Sequence, residues 1–402
     1  MPKTLLLLGG SRYSMPVIES AHELGVRVVT CDYLPDNYAH AYADEYVNAS
    51  VIDCDAVLKV AKDVRADGIM SFAVDPGVTS AAYAASRLGL PFQGSHEAVC
   101  TLQDKQRFRT FLHDNGFNCP ELHVFSSAKD AVEAAGGLTY PVIAKPVDSA
   151  GSKGVTRVDD PGQLRAAVEH ALDFSRGGRC IVEQFLEKKC PSSDADGFTV
   201  DGRFACVSFD SQYFDPACGN PYAPAAYGMP AEMPLEARAE LECELQRLAD
   251  LLHLGSGVYN IETRLATDGK PYIMEVSPRG GGNNLCEMLR HASGVDLIRA
   301  AVEAALGMPV TGVRSPDYDG FWYQQIVHAR QTGTFRGMWY APGFAEKHLV
   351  KESIWASPGT HVENFDAANF AFGNCFLRFD SHEELDEFRA HEDEFMRVEV
   401  EP

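Results

Sequence analysis

The sequence predicts an α/β protein built from several parts, and three observations lead to this prediction. In the first hundred residues, short apolar runs alternate with amphipathic helical patterns, which is typical of an open parallel sheet covered by helices. Residues 121–185 repeat this alternation in a smaller βαβ-like unit. Farther along, two alternating runs flank an Asp-Gly pair at 268–269, which indicates an antiparallel hairpin. After Gly312 the sequence becomes aromatic and β-rich, so we predict an appended C-terminal region.

The individual elements follow in chain order. In the N-terminal part we predict strands at 4–8, 26–31 and 68–72, helices at 15–24, 56–64 and 76–87, and a short apolar run at 90–93. A helix at 104–115 leads into the second unit, with strands at 140–145, 155–158 and 180–184 and a helix at 161–171. We then predict a long loop at 218–234, a helix at 235–254, the hairpin at 258–277, and helices at 284–292 and 296–306. The acidic end, 382–402, is predicted to form one solvated helix and an edge strand.

The composition indicates a globular protein of enzyme size and argues against two kinds of partner. The chain has 402 residues, 45% of them hydrophobic, and 35 basic against 57 acidic residues give a formal net charge of −22. Such an acidic surface repels phosphate backbones and anionic lipid, so we predict binding to neither nucleic acid nor membranes. No run in the sequence approaches the roughly 20 apolar residues that span a bilayer. The 11 cysteines include no Cys-x-x-Cys pair, so we expect reduced thiols, no zinc motif and a cytoplasmic protein.

Two acidic residues face each other across the predicted hairpin. With a two-residue turn at 268–269, Glu262 lies opposite Glu275 and Asn260 lies opposite Ser277, all on one face of the ribbon. The other face then holds Ile261, Thr263, Met274 and Val276. Two facing carboxylates destabilise a hairpin unless a positive charge lies between them, and Mg²⁺ favours such oxygen ligands. The hairpin therefore predicts a Mg²⁺ site, with a solvated acidic face as the alternative reading.

Two glycine-rich segments are candidate anion sites. Residues 278–283 carry Arg279 and three glycines just before a predicted helix, where free N–H groups and the helix dipole favour anions. The Arg279 guanidinium adds a planar fork that fits a carboxylate or phosphate. At 149–154 a second glycine loop follows the apolar strand that ends in Lys145, and a buried ammonium needs an anion. Taken alone, this second loop reads equally well as a flexible surface turn.

The strand at 180–184 runs into Glu183, Phe185 and Leu186, which could hold an adenine ring by backbone hydrogen bonds and apolar packing. The alternative is a core strand with a terminal acid. At the other end of the chain, Asp32 closes the second strand, where a dinucleotide-binding fold places its ribose-binding acid. The first turn lacks the G-x-G-x-x-G pattern, so a nicotinamide-dependent oxidoreductase is kept only as an alternative.

Together, in this order, the segments 104–109, 145–154, 183–186, 260–262 and 274–282 resemble the ATP-grasp superfamily of carboxylate–amine ligases. The likeness covers residues 1 to about 312, and the aromatic end is similar to the extra domain of L-amino-acid ligases. The resemblance implies an N-terminal α/β domain, a small central lid, an ATP-grasp domain with an antiparallel sheet and a β-rich appendage. The corresponding predicted domains are 1–103, 104–186, 187–312 and 313–402.

The resemblance also implies roles for individual residues. ATP and Mg²⁺ are the expected cofactors, with Mn²⁺ as an alternative ion, and a homodimer is expected. The residues implied to hold ATP are Lys105, Lys145, Ser149, Ser152, Lys153, Gly154, Glu183, Phe185 and Leu186. The metal would be held by Glu262, Glu275 and Ser277, the last at a position where the family commonly has Asn. The implied substrate residues are Arg279, Gly281, Gly282 and Asn283, and those implied to act in catalysis are Arg279, Lys145 and Glu275.

The function implied by the resemblance is a ligase that uses ATP to activate a small-molecule carboxylate as an acyl phosphate and joins it to an amine. We expect an amino-acid substrate, giving a dipeptide or an amino-acid amide. A purine-biosynthesis or biotin-carboxylase-type enzyme of the same superfamily is the alternative. A catalytically idle ATP-binding scaffold is a further reading, against which the facing acids argue.

Overall fold

The computed structural model describes residues 2–149, 153–220 and 222–402. Its N-terminal region is a parallel sheet in the order β3-β2-β1-β4. The strands are β1 (Thr4–Leu8), β2 (Arg27–Asp32), β3 (Glu45–Asn48) and β4 (Gly68–Ser71), and the helices are α1 (Met15–Glu23), α2 (Cys54–Asp63) and α3 (Asp75–Leu88). Leucines 5–8 of β1 are fully buried, as their unbroken apolar run predicts. The sequence analysis missed the half-exposed edge strand β3, and the run at 90–93 forms no strand.

Two consecutive helices, α4 (His96–Gln103) and α5 (Lys105–Asp114), link this region to the second unit. Asp104 caps α5, because its Oδ1 accepts a hydrogen bond of 2.9 Å from the backbone N–H of Arg107. Helix α4 was not predicted. The cap fixes where α5 begins, so Lys105 is placed in the first turn of the helix.

The second unit is a four-stranded antiparallel sheet and not the parallel βαβ arrangement that we predicted. Its strands are β5 (Leu122–Phe125), β6 (Val142–Pro146), β7 (Thr156–Val158) and β8 (Cys180–Gln184), in the order β5-β8-β6-β7, with helices α6 (Ala128–Ala134) and α7 (Leu164–Asp173). The two helices bury their apolar faces against β6 and β8 in one small core. The other face of this sheet is left to the site.

A larger antiparallel sheet follows, in the order β10-β9-β13-β14. The chain forms β9 (Ser193–Val200), β10 (Arg203–Ser208), β11 (Ser211–Phe214), β12 (Pro224–Met229), helix α8 (Leu235–Leu252), β13 (Gly257–Leu265) and β14 (Pro271–Ser277). Helix α8 packs its leucines against this sheet. The predicted loop at 218–234 is therefore wrong in part, because β12 runs through it. Its sequence, Pro-Ala-Ala-Tyr-Gly-Met, has few typical strand residues, but most of it is buried between neighbouring strands, and burial decides the conformation.

The rest of the chain is helical and then β-rich. It forms helices α9 (Leu285–Ser293) and α10 (Leu297–Ala305), then β15 (Phe321–Val327), β16 (Gly333–Tyr340), α11 (Phe344–His348), β17 (Leu349–Ile354), β18 (His361–Val362), β19 (Gly373–Phe379), α12 (His382–Ala390), α13 (Glu392–Phe395) and β20 (Met396–Glu401). One five-stranded sheet, β11-β12-β15-β19-β17, takes strands from both sides of residue 312, and β18-β16-β20 forms a smaller sheet. Among the described helices, none is long and apolar enough to cross a membrane.

In the hairpin β13–β14, Glu262 pairs with Glu275 as predicted, although the turn and one strand differ from the prediction. Its turn is one residue longer than predicted, since Ala266 N–H bonds to the Lys270 carbonyl and Gly269 adopts φ +83°. A β-bulge at Met274 then adds one residue to β14 and restores the register. The bulge also moves Met274 off the predicted core face, so that it packs beside Leu186.

Candidate active site

A cavity of about 660 Å³ collects several of the predicted residues. Its lining includes Lys105 at the start of α5, Ser149 and Lys153 of the glycine loop, and Glu275 on β14. The first turn of α3 contributes Asp75. Elements that are far apart in sequence thus meet here, and both lysines and acids face one space.

The acid pair lies where the sequence predicts it. Glu262 and Glu275 are direct partners across the hairpin, and their side chains are 35% and 32% exposed. Lys105 places its Nζ 3.0 Å from Glu275 Oε2. Burial raises the pKa of Glu275, but the Lys105 ammonium outweighs it and keeps the carboxyl ionised. Two half-exposed carboxylates on one face are a donor set that fits Mg²⁺ together with phosphate oxygens.

Ser277 is bonded within the protein, and its predicted role as a metal ligand stays a prediction. Its hydroxyl donates to Asp75 Oδ1 at 2.8 Å and accepts from Gln103 Nε2 at 2.7 Å, and the residue is only 1% exposed. These bonds tie β14 to the start of α3 and the end of α4. The sequence could not show this, because both partners lie more than 170 residues away.

Lys145 and Glu183 form a buried ionic cluster with Arg109. Glu183, 1% exposed, accepts from Arg109 Nε at 2.9 Å and also contacts Lys145 Nζ. Burial raises the pKa of Glu183, but the two cations outweigh it and lower that pKa to about 2. Arg109 also donates to the Met274 carbonyl at 2.7 Å. The Glu183 carboxylate is thus a counter-ion that holds Lys145, and its predicted position beside an adenine stays a prediction.

The glycine loop at 149–154 is described only at its ends, and Ser152 lies outside the described residues. The Ser149 carbonyl accepts from Lys105 Nζ at 3.3 Å, and the exposed Lys153 lines the cavity. Gly154 is buried at φ +70°, and a Cβ there would lie 2.9 Å from Phe174 Cβ. Close packing thus explains why residue 154 is glycine, whereas the exposed Lys153 faces the cavity.

Phe185 and Leu186 lie at the end of β8. Leu186 is buried with Ala266 and Tyr272 and contacts the displaced Met274, which lines the cavity. The Phe185 ring has the Arg157 guanidinium 4.5 Å from its centroid. An apolar shelf with Leu186 and Met274 therefore adjoins the lysines, as an adenine pocket requires, while the predicted adenine contact itself stays a prediction.

Arg279 uses its planar fork on a residue of this protein. Its Nε and Nη2 each donate to Asp75 at 2.9 Å, and its Nη1 donates to Asn260 Oδ1 and to the Gly280 carbonyl, both at 3.0 Å. The guanidinium is therefore nearly saturated inside the protein, which differs from its predicted role on a substrate anion. Asp75 could not be foreseen as its partner, because 204 residues separate the two in the sequence.

The glycine segment before α9 also binds a carboxylate of the protein. The Gly281 N–H donates to Asp196 Oδ1 at 2.7 Å, and Asn283, 9% exposed, accepts from the Tyr13 hydroxyl at 3.0 Å. Gly281 and Asn283 are thus bonded within the protein, and their predicted role in substrate binding stays a prediction. Gly282 is only half buried, and a Cβ there would meet nothing within 4 Å. It is therefore the residue of this segment that stays open to a ligand.

The sequence analysis missed Asp194 and Asp196 on β9. Both project onto the same face as Asn260 and Glu262, because β9 pairs with β13 in that register. Asp194 accepts from Asn260 Nδ2 at 2.9 Å and from the Tyr227 hydroxyl at 3.1 Å. Burial, reinforced by Glu262, raises the pKa of Asp194 to about 7, and burial raises that of Asp196 to about 6. The alternating acids just before the turn at 201–202 are the signal that could have revealed this strand.

The comparisons with known proteins agree with this fold and cleft. Residues 102–283, just under half of the chain, match the family described as ATP-grasp domain. Carboxylate–amine ligases of the ATP-grasp superfamily form C–N bonds while ATP becomes ADP and phosphate. Enzymes of this superfamily use ATP and Mg²⁺ on small-molecule substrates.

Particular relatives point to more than one substrate. The chain is 28% identical over 340 residues to carnosine synthase 1 of Gallus gallus, a match that covers 76% of this chain but only 35% of that protein. It is 25% identical over 324 residues to a formate-dependent phosphoribosylglycinamide formyltransferase of Parasynechococcus marenigrum, covering 79% and 80% of the two chains. The structure resembles that of L-amino acid ligase from Bacillus licheniformis, with a TM-score of 0.80, 21% identity, and 100% and 99% of the two chains covered.

Proposed function

We propose that the protein joins a small-molecule carboxylate to the amino group of an amino acid, with an acyl phosphate as the intermediate. The observation that carries the proposal is the crowding of acids on the substrate face of one sheet. Asp194, Glu262 and Glu275 share this face, and Lys105 neutralises only the last of them directly. Such a surface accepts a divalent ion at one end and an ammonium group at the other.

At the nucleotide end, Lys105 and Lys145 are held beside the cleft by single carboxylates. Their side chains are 20% and 14% exposed, so a triphosphate can draw the ammonium groups to itself without unfolding their surroundings. Lys153 of the glycine loop also lines this cavity, where it can contact the phosphates. When bound, Mg²⁺ would be held by Glu262 and Glu275 and would neutralise charge on the transferring phosphoryl group.

The acceptor end favours an amine over a phosphorylated sugar. Asp194 lies there with its carboxylate oriented by Asn260 and Tyr227. Two guanidinium groups of this region are already engaged. Arg279 has both oxygens of Asp75 as partners, and Arg264 donates to Ser192 and to the Leu186 carbonyl and lies 3.9 Å from Glu262. Among the described residues at this end a ribotide phosphate would therefore meet mainly acids, whereas an α-ammonium group would gain a charge-assisted hydrogen bond.

The reaction then proceeds in two displacements. A carboxylate oxygen of the first substrate attacks the γ-phosphorus of ATP, the bond to the β-phosphate oxygen breaks, and ADP leaves. The ammonium group of the second substrate first loses a proton to solvent, and the neutral amine attacks the acyl carbon. The tetrahedral intermediate then expels inorganic phosphate with the original carboxylate oxygen, and the nitrogen loses a second proton to solvent, which leaves a neutral amide. The lysines and the open amide at Gly282 stabilise the developing charge, and positioning supplies most of the acceleration.

The test is a phosphate-release screen of amino acids, singly and in pairs, with ATP and Mg²⁺. We expect release to depend on two amino acids and on Mg²⁺, and mass spectrometry to find a product joined by an amide bond. Glu275→Gln should lower this rate at least about 100-fold, since it removes a metal ligand, and Glu242→Gln on the exposed face of α8 should not. Unchanged turnover by Glu275→Gln would refute the site.

A purine-pathway reaction is the second candidate, favoured by the relative that matches about four-fifths of both chains. The same assay tests it with phosphoribosylglycinamide and formate in place of amino acids. Phosphate release with this pair, and none with amino acids, would overturn the proposed acceptor. The nicotinamide alternative loses its main residue, because Asp32 is bonded to Asn37 Nδ2 at 2.7 Å within its own loop.

A further inference from the structure

A second cluster of chemically capable side chains lies apart from the cleft. Asp215 follows β11, Cys218 lies three residues later, and His328 follows β15. One carboxylate oxygen, the thiol sulfur and one imidazole nitrogen all lie within 4.8 Å of one another. Each of the three residues is at least 91% buried. Strands β11 and β15 flank β12 and run in the same direction, so their ends meet at one edge of the sheet.

We propose that Asp215, Cys218 and His328 bind one zinc ion, or another divalent ion of similar softness, as a structural site. Carboxylate oxygen, thiolate sulfur and imidazole nitrogen are all established zinc ligands. Bond lengths of about 2.0–2.3 Å place tetrahedral ligands roughly 3.3–3.8 Å apart. His328 Nε2 and Asp215 Oδ2 are 3.3 Å apart, and closing the sulfur onto the same ion needs a shift of no more than about 1 Å.

The orientation of His328 leaves its Nε2 available to a cation. Its Nδ1 lies 2.6 Å from the Ile326 carbonyl, and a carbonyl only accepts, so Nδ1 carries the hydrogen. In a neutral ring Nε2 then presents a lone pair to the Asp215 carboxylate, and a positive species between them makes that contact favourable. A proton on Nε2 also satisfies the contact, and the Cys218 thiol also hydrogen-bonds to Asp215, so the metal analysis below separates the ion from these two protons.

Neighbouring groups fix the ligands in the manner of metal sites. The Ile326 carbonyl sets the His328 tautomer, and Phe365 stacks on its ring with 4.4 Å between centroids. Asp215 is oriented by the Ala217 N–H at 2.9 Å and by the Arg330 guanidinium. A cavity of about 830 Å³, lined by Asp215 and Arg330, gives the ion a route from solvent. Solvent can supply the fourth ligand from that side.

Binding has a defined stoichiometry. The ion displaces the thiol proton of Cys218, which passes to solvent, and forms one metal–sulfur bond while no group is oxidised or reduced. The site would clamp the segment after β11 to the end of β15. None of its three residues lines the nucleotide cleft, so this proposal can be tested independently of the proposed ligase reaction.

The test is metal analysis of the full-length protein. After incubation with zinc and dialysis, we expect one zinc per chain, and less than about a tenth of that in Cys218→Ser and His328→Gln. The exposed-thiol control Cys243→Ser should keep the full amount, and so should Glu275→Gln in the cleft. With Co²⁺ in place of zinc, the wild type should show a thiolate-to-cobalt charge-transfer band that Cys218→Ser lacks.

Two outcomes would overturn the assignment. Retention of zinc by Cys218→Ser and His328→Gln at the wild-type level would place the ion elsewhere. Failure of the wild type to retain zinc, or cobalt binding without the thiolate band, would leave a protonated His328–Asp215 ion pair beside a free thiol. Because the cobalt band is read on the folded wild-type protein, the result does not depend on whether either variant folds.

Discussion

The two ends of the cleft hold their cations in different ways. At the nucleotide end, Lys105 meets Glu275 through one ammonium contact of 3.0 Å, and both side chains are partly exposed. At the acceptor end, Arg279 is held by four hydrogen bonds, two of them to Asp75, and its side chain is 10% exposed. A lysine in a partly exposed ion pair, with one further long hydrogen bond of 3.3 Å to the Ser149 carbonyl, exchanges partners at little cost, whereas a saturated guanidinium does not.

This difference separates groups that a substrate can recruit from groups that hold the site together. Burial raises the cost of breaking an ion pair, because a charge left without its partner cannot be solvated. By this measure Glu183 and Arg109, 1% and 2% exposed, belong to the framework although they touch Lys145. The predictions below remove one group at a time from each class.

The largest expected effect is on Glu183. Replacing Glu183 with Gln leaves Arg109 and Lys145 with unpaired charges in the interior, and we expect a loss of about 3–5 kcal/mol in the free energy of unfolding. Urea denaturation followed by fluorescence measures it. The matched control is Glu187→Gln at the end of the same strand, where an exposed pair with Arg157 is worth at most about 1 kcal/mol. Equal losses in the two variants would contradict the assignment of Glu183 to the framework.

The ionic bonds of Glu183 also make the free energy of unfolding depend on pH. The folded pKa of Glu183 is about 2, below the ordinary value of 4.5, so its ionic bonds stabilise the protein above pH 4.5. That contribution, about 3 kcal/mol, is lost as pH falls from 4.5 through 2. The stability difference between wild type and Glu183→Gln should shrink across this window. A difference that stays constant from pH 6 to pH 3 would contradict the pKa.

The comparison also shows what the sequence could reveal. Local patterns were sufficient for the fully buried β1, for the extent of α5 and for the facing acids of the hairpin. The hairpin pairing came out right although the turn is longer, because the bulge at Met274 offsets it. A bulge leaves no mark in a pattern of alternating residues, so period-two reasoning assigned Met274 to the wrong face.

Partners distant in the chain were beyond sequence reasoning. The residue types at Arg279, Gly281 and Ser277 predict anion binding and hydroxyl chemistry, and in the structure these residues bond to Asp75, Asp196 and Gln103. Their predicted roles towards substrate and metal stay predictions. A sequence pattern shows what kind of group a side chain can bind, but not which residue it contacts in the folded protein. The Asp215–Cys218–His328 cluster has no spacing motif for the same reason, since its third member is 110 residues away from the second.

The next effect in size concerns Arg279. If its role is to hold Asp75, then Arg279→Lys and Asp75→Asn should each cost about 2 kcal/mol of stability, since each breaks the two-bond contact. The double variant should cost clearly less than the sum of the two. Thermal unfolding of the three proteins measures this coupling. A loss of turnover in Arg279→Lys without any change in unfolding would instead restore Arg279 to the substrate.

The smallest expected effect tests Asp194 as the group that receives the amine. Asp194→Asn can still accept from Asn260 through its one amide oxygen and can donate to the Tyr227 hydroxyl, but it removes the negative charge. At pH 8, above the Asp194 pKa of about 7, the KM for the amine substrate should therefore rise about tenfold, equivalent to ~1.4 kcal/mol. The KM for ATP should stay within about twofold, because the nucleotide contacts other residues. Asp201→Asn, in the exposed turn after β9, is the control and should change neither constant. A rise in the KM for ATP alone would move Asp194 to the nucleotide end and would remove the electrostatic argument for an amino-acid acceptor.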